Sequence, residues 1–343
     1  MDSITHITLG ACIGELMLGK KLGKKALFWG VIAQSFPDID TLAALFFPAD
    51  QAFLFHRGIT HSLMFAVIIG LLLALTVKKA HPKQYVPITF LVFFFCFQLM
   101  LHDLLDTCNS YGTGLLEPFS HQRFSINLLY VADPLFTIGL IVATFFLIFK
   151  SISHQQRTKW AWAAIYFSAL YLCFAGFCKE IINNRIEASL KKKQLSDKAY
   201  FSTPAPFNCM LWYIVAKNDS SYFTAYSSIW DDAELPVNYE VHLKDHSILK
   251  NNGSDKFVNN LIIFAGNEYI ITSSGNKMYF NIPRFEQQQG WQATNAPFAF
   301  SYPLYAGANQ AALLQKGRLA GWNKNTVAAY LKRIAGKEQT QTH

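Results

Sequence analysis

Over the first 178 residues the polar positions gather into short islands, and the stretches between them are almost wholly apolar. Four of these stretches are long: residues 62–77, 86–101, 135–149 and 160–178. Crossing a bilayer takes about 20 apolar residues, with about 17 as the lower end, and flanking residues bring each run to that length. Two shorter apolar pieces, 4–18 and 26–36, precede them; these either span with snorkelling lysines or lie partly inside a bundle. From residue 179 the pattern turns to that of an ordinary polar chain. A helix is expected near 180–196. Segments rich in aromatic and β-branched residues follow: "LWYIVAK", "YFTAYSSIW", "NYEVHL", "FVNNLIIFA", "EYIITSS" and "KMYFNI". Turn signals "KND", "NNGS" and "SSGN" separate some of them. An amphipathic helix over 324–334 closes the pattern. The expected fold is a membrane α-helical bundle of about four to six transmembrane helices (residues 1–180), followed by a small extracytoplasmic α+β domain with an antiparallel sheet (181–343).

Composition sharpens this division. The chain is 52% hydrophobic and 15% charged, whereas soluble domains carry about 25% charged residues; the deficit is not spread evenly and is greater in the first half. The N-terminus does not read as a signal peptide, because it opens with Asp2 and His6 and has no small-residue cleavage pattern. The six cysteines contain no C-x-x-C, and four lie in apolar runs, which makes them packing residues and not zinc ligands or a disulfide framework. The net charge of +8 reports orientation in a membrane protein, and no nucleic-acid partner is expected.

Charge placement orients the bundle. Lys and Arg mark cytoplasmic loops. "KKLGKK" (20–25), "KKAHPK" (78–83) and "KSISHQQRTK" (150–159) hold ten of them, against only Arg57 and Arg123 in the intervening loops. The bias predicts six crossings with both termini outside. It leaves His81 and His154 inside and collects His6, Asp38, Asp40, His56, His61, His102, Asp103, Asp106, His121 and Asp133 at the outer boundary. The sorting used only Lys and Arg, so the gathering of His and Asp on one side is a separate observation.

Four pieces carry the chemistry: "THITLG" with His6, "FPDID" with Asp38 and Asp40, "HRGITHS" with His56 and His61, and "HDLLD" with His102, Asp103 and Asp106. His102 and Asp106, four apart, share a helix face. Asp103 lies about 100° round from His102 and suits a second metal or a hydrogen bond to a ligating imidazole. Gly58 permits a bend between the two histidines. Ionisable residues at membrane depth pair or bind something, and mixed imidazoles and carboxylates suit a divalent metal, zinc first and manganese or iron next. Plainer roles compete: Asp40, Thr60 or Ser62 as helix caps, Asp133-Pro134 as N-cap and first-turn proline, and His121 as a solvated loop residue. No H-E-x-x-H, G-x-S-x-G or P-loop occurs.

At these residues the sequence resembles the YdjM-type family of bacterial inner-membrane metal-dependent hydrolases. "THITLG", "FPDID", "HRGITHSL", "HDLLDTCNSYGTGLLEPFS" and "DP" carry the likeness over roughly residues 3–135. The resemblance implies a relation to the zinc-dependent phospholipase C and single-strand nuclease superfamily, an inner-membrane location and a hydrolytic reaction, of phosphoesters by that relation. The second half, with "TPAPFNCMLWYIV", looks like the extension of a longer subgroup.

The expected activity is metal-dependent hydrolysis of a small-molecule or lipid phosphoester at the extracytoplasmic membrane boundary. His6, Asp38, Asp40, His56, His61, His102 and Asp106 are the candidate ligands of one or two ions, and Asp40 or Asp103 the proton acceptor. Arg57 either clamps a phosphate or neutralises the nearby carboxylates. The alternative is a metal-binding transporter or scaffold, for which Glu15 and Gln34 in the early segments are the best evidence. Membrane lipids are expected partners, and the sequence leaves the oligomeric state open.

Overall fold

The computed structural model describes residues 1–46, 54–150, 153–192, 199–234, 236–244, 256–275, 277–304 and 321–337. The chain divides into two compact units, with the boundary between Ala175 and Gly176 inside one helix.

The first unit is helical. Helix α1 (Ser3–Leu22) starts at Asp2, whose side chain accepts from the Thr5 N–H at 3.0 Å. Gly23, at φ 58°, ends it, a conformation that costs glycine little. Only Gly23 and Lys24 separate α1 from α2 (Lys25–Ser35). The two helices touch backbone to backbone. A Cβ on Gly10 would stand 2.4 Å from the Gly30 carbonyl oxygen, one on Gly14 2.3 Å from that of Ala26, and one on Gly30 2.0 Å from that of Gly10. Small residues allow such approach in membranes, where no water drives helices together. With 11 residues, α2 is about 16 Å long, roughly half the hydrocarbon thickness.

A 3₁₀ segment (Pro37–Leu45) and a second short one (Ile59–His61) lead to α3 (Leu63–Ala80), capped by Ser62, whose hydroxyl accepts from Phe65 N–H. Then come α4 (Ile88–Asp106), α5 (Pro134–Phe149) and α6 (His154–Lys192). Asp133 caps α5, with proline in its first turn, as expected of "DP". Helices α3, α4 and α6 are long and apolar enough to cross a membrane; α5 is apolar and shorter. Apolar side chains on α3 such as Ile68, Leu72 and Leu75 are about half exposed, as lipid-facing positions are. On the inner side Gly70 lies against Cys96, and Phe94, Phe95 and Leu99 of α4 are fully buried. The helix expected near 180–196 is the end of α6, which runs unbroken for 39 residues.

The second unit holds two antiparallel sheets. The first has the order β1-β2-β3-β4 (Tyr200–Pro204, Leu211–Lys217, Ser221–Ser228, Glu240–Leu243). Its centre pairs Tyr213 with Tyr226 and Ile214 with Ala225. After α7 (Lys256–Ala265) comes the second sheet, β5-β6-β7 (Ile270–Ser274, Lys277–Asn281, Ser301–Pro303), and then α8 (Lys324–Ile334). Tyr213, Val215, Tyr222, Ile270 and Phe298 form one core cluster, and Ala205, Leu211, Trp291 and Tyr330 another.

Two expectations change here. The sequence pattern predicts one sheet, and the described residues form two. "FVNNLIIFA", which reads as a strand, is α7. Its buried residues Phe257, Val258, Leu261, Phe264 and Ala265 follow helical spacing, while Ile263 between them is 63% exposed. The β-branched pair Ile262-Ile263 gives the strand signal, but tertiary burial of a helical stripe outweighs that local preference. The turn signal "NNGS" lies outside the described residues.

Candidate metal centre

The site lies at one end of the helical unit. It draws on the first turns of α1, the last turn of α2, both 3₁₀ segments and the last turns of α4. The four basic residues of 20–25 and the other basic loops sit at the opposite helix ends; Lys24 Nζ there donates to the Ile148 carbonyl at the end of α5 (2.6 Å).

At its centre, ligand atoms of Asp38, His61, His102 and Asp106 lie within 4.8 Å of one another. The two imidazole Nε2 atoms are 3.2 Å apart. Asp106 Oδ2 is 3.4 Å from His61 Nε2 and 3.8 Å from His102 Nε2; Asp38 Oδ1 is 3.6 and 3.7 Å from the same two nitrogens. A tetrahedral ion with bonds of 2.0–2.2 Å, as zinc makes to nitrogen and oxygen, separates its ligand atoms by about 3.3–3.6 Å. The side chains are therefore already spaced as the corners of such a site, and three of the four are fully buried.

Hydrogen bonds set which ring nitrogen faces the centre. His102 Nδ1 donates to the Gln34 carbonyl at 2.6 Å, which leaves its Nε2 lone pair pointing inward. His61 Nδ1 faces Asp40 Oδ2 at 3.2 Å, the carboxylate–histidine arrangement that orients metal ligands. Asp40 also accepts from His56 Nδ1 (2.9 Å), Arg57 N–H (2.9 Å) and Thr60 Oγ1 (2.7 Å). Both its oxygens are thus engaged, and the structure places it behind His61 and not among the converging atoms. His56 stands in the same outer layer, partly exposed and bonded to Asp40.

His6 stacks on His102 with ring centroids 3.7 Å apart. Its Nδ1 meets Gln34 Oε1 at 3.2 Å and its Nε2 meets Asp106 Oδ1 at 3.3 Å. The Gln34 amide is fixed in turn, since its Nε2 donates to the Gln98 carbonyl and side-chain oxygens (2.8 and 3.0 Å). Asp106 therefore offers Oδ2 to the four-residue centre and Oδ1 to His6. The Met1 amino nitrogen also lies against Oδ1.

Arg57 is buried at 4% exposure and sits at φ 61°, the left-handed region. Its Nε faces Asp106 Oδ2 at 3.1 Å, Nη1 donates to Asn109 Oδ1 at 2.7 Å, and the guanidinium lies 5.1 Å from the Tyr111 ring centre. The bend assigned to Gly58 is at Arg57, with Gly58 following at φ −88°, ψ −122°. Of the two roles open for Arg57, this geometry is that of an ion pair with the site's own carboxylate.

Charge effects agree with a preformed anionic pocket. Burial works to raise Asp38, but its hydrogen bond with His61 and the charges of His102 and His61 carry it below the usual carboxylate range. Burial acts on Asp40 in the same sense, and the bonds from His56 and His61 outweigh it and take Asp40 far below that range. Burial acts to lower His61, and hydrogen bonds to Asp38 and Asp40 raise it overall. Burial brings Arg57 down to about 10, still charged at neutral pH. Asp103 is 1% exposed, and neither of its oxygens has a hydrogen-bond partner among the described residues. An isolated buried carboxylate is costly, and a cation in this pocket removes that cost. On donor set, spacing and this orphaned carboxylate, the residues fit a metal ion.

His121 is exposed and bonded to Glu117. Asp133 serves α5 as its cap and accepts from the Tyr171 hydroxyl at 2.8 Å. Sequence reasoning did not assign Asn109 or the orienting role of Gln34. The signals were slight: one amide in the apolar "KALFWGVIAQS", and an Asn three residues beyond "HDLLD".

No solved structure matches the chain. Inner membrane protein YbcI of Escherichia coli (strain K12) is 34% identical over 123 residues, 35% of this chain and 69% of that protein. The uncharacterized protein YfhP of Bacillus subtilis (strain 168) is 31% identical over 156 residues, 42% of this chain and 45% of that protein; the match thus spans less than half of YfhP. The apolar helices accord with an inner-membrane location. The model of the YdjM inner membrane protein family covers residues 1–182, every residue of the centre included, so the chain belongs to that family.

Proposed function

We propose that the protein is an inner-membrane, metal-dependent hydrolase of a phosphoester, lipid or lipid-linked, with its site at the extracytoplasmic boundary and its C-terminal domain on that side. The observation that carries this reading is the convergence of Asp38, His61, His102 and Asp106 within 4.8 Å, beside a buried carboxylate, Asp103, that no described protein group satisfies. Zinc is the ion the donor set favours, with manganese or iron as alternatives. A second ion, if bound, would be held by His6 and Asp106. The basic loops at the opposite end support the orientation.

A bound divalent ion supplies Lewis acidity and brings the pKa of a coordinated water toward about 7. The chain's own groups do the rest. Asp40 and the Gln34 carbonyl hold His61 and His102 in the ligating tautomer. Arg57 fixes Asp106. Asp103, unengaged by the protein, accepts the proton from the attacking water. The boundary position brings a lipid phosphoester to the site without leaving the membrane.

The transporter or scaffold reading draws on a row of polar side chains along α1. Thr5 meets Thr137, Cys12 meets Thr144, and Glu15 pairs with Arg157 and His154. Yet Thr8, Thr137 and Thr144 donate to backbone carbonyls of Ile4, Asp133 and Thr8, and Glu15 is neutralised by its arginine. Among the described residues these groups pair with one another and do not line up as free ligand atoms for an ion to follow, which favours hydrolysis.

The test is metal analysis of the protein purified in detergent, beside turnover of bis(p-nitrophenyl) phosphate and phospholipids. His61→Ala and Asp106→Asn should lose metal; Asp103→Asn should keep it and lose turnover by about 10²-fold or more. Full metal retention in the first two variants refutes the centre. Metal loss without turnover of any substrate by the wild type supports the scaffold reading.

A further inference from the structure

The C-terminal unit contains a cavity of about 950 Å³ beside β3 and β4, at the upper end of the range for small-molecule sites. Its cations are committed to the wall. Arg333 bonds Asp231 through both terminal nitrogens (2.5 and 2.8 Å) and the Tyr226 carbonyl (3.0 Å). Arg185 donates to Ser227 Oγ (3.0 Å) and the Asp231 carbonyl (2.7 Å). Glu240 accepts from Gln287 Nε2 (2.9 Å) and Asn295 N–H (3.0 Å), and Asp232 from Glu234 N–H (3.0 Å). What is left to face the space carries no unpaired cation: the exposed side chains of Asn238 and Gln292 line it, with Asp232 as the exposed carboxylate among the described lining residues. Trp291 supplies an aromatic wall, is nine-tenths buried, and its indole N–H has no acceptor among the described residues.

We propose that this cavity binds a neutral saccharide of a few rings. An anion would need a guanidinium that is not already paired. An apolar ligand would leave the exposed amides without partners, at a cost for each. A sugar satisfies both halves of the wall. Its C–H faces pack on aromatic rings, and its hydroxyls donate and accept, as side-chain amides do. The proposal is independent of the metal centre, since every residue it uses lies in the second unit.

The test uses the full-length protein in a detergent without a sugar headgroup. Calorimetric titrations with maltotriose, cellotriose and tri-N-acetylchitotriose are compared with titrations of inorganic phosphate and a tetraglutamate peptide. At least one trisaccharide should bind saturably. The double variant Asn238→Ala, Gln292→Ala should weaken it roughly tenfold with an unchanged melting temperature, and Ala293→Trp should abolish it by filling the space. No trisaccharide binding, binding indifferent to both variants, or binding of phosphate or peptide in place of sugar overturns the proposal.

Discussion

Replacing Asp40 by Asn changes one oxygen for an amide and tests whether this residue orients ligands or reacts. The carboxylate accepts four hydrogen bonds, from His56 Nδ1, Arg57 N–H, Thr60 Oγ1 and His61 Nδ1. The oxygen that the amide retains can keep the Arg57 and Thr60 bonds, which hold the left-handed turn. Its NH₂ then stands in place of Oδ1 against His56 Nδ1, donor against donor, and His56 must turn away. His61 stays on the retained oxygen but faces a neutral acceptor in place of the carboxylate that orients and polarises it. Loss of such an orienting partner costs 10–100-fold in metal affinity, about 1.4–2.7 kcal/mol. The assay is competition against a fluorescent chelator with the full-length protein in detergent, with the metal-free melting temperature as a fold control. Affinity within threefold of wild type, with turnover lost, would refute the reasoning and return Asp40 to the role of proton acceptor.

Three further outcomes are expected. Metal affinity should fall as pH drops, beginning above the ordinary histidine value of about 6.5. His61 is raised in the metal-free protein by Asp38 and Asp40, so protons compete for Nε2 below that raised value and no longer do above it; the same chelator titration from pH 5.5 to 8 reads this, and a flat profile contradicts it. Gly30→Val should destabilise the helical unit by more than the 1–3 kcal/mol typical of overpacking, because its Cβ would meet a backbone oxygen at 2.0 Å that no rotamer can avoid; an unchanged melting temperature in detergent argues against the α1–α2 contact. A reporter phosphatase that is active only outside the cytoplasm should be active when fused after Lys337 and inactive when fused after His81, and the reverse pattern inverts the proposed orientation.

The elements are legible in the sequence where a local pattern decides them. Strand β2 is "LWYIVAK" to the residue, a short apolar run buried on both faces, and α8 occupies 324–334, where the amphipathic stripe is written locally. The α7 segment reads as a strand because its stripe of buried residues competes with β-branched preference over only ten positions. In the site, His6, Asp38, Asp40, His56, His61, His102 and Asp106 stand out alike from sequence as costly groups gathered at one membrane boundary. What sequence could not assign is direction. Whether an Asp faces the centre or the back of an imidazole depends on contacts 16 to 68 positions apart, Asp40 with His56 and His102 with the Gln34 carbonyl. No periodicity encodes such pairs.

"FHRGITHSL" shows how far this matters. A phosphate clamp needs two adjacent guanidinium donors. With Nε ion-paired to Asp106 and Nη1 bonded to Asn109, any such pair would include one already engaged. The turn is built for this arrangement. The Arg57 N–H goes to Asp40 and its carbonyl accepts from Gly114 N–H at 2.9 Å, which together hold a left-handed backbone that costs a non-glycine residue of order 1–3 kcal/mol. The neighbourhood holds Asp38, Asp40, Asp103 and Asp106, with Arg57 and Arg123 as the arginines close to them. Arg57 pairs with Asp106 and fixes the orientation of that carboxylate, which leaves Asp38 and the Nε2 atoms of His61 and His102 arranged to hold an ion.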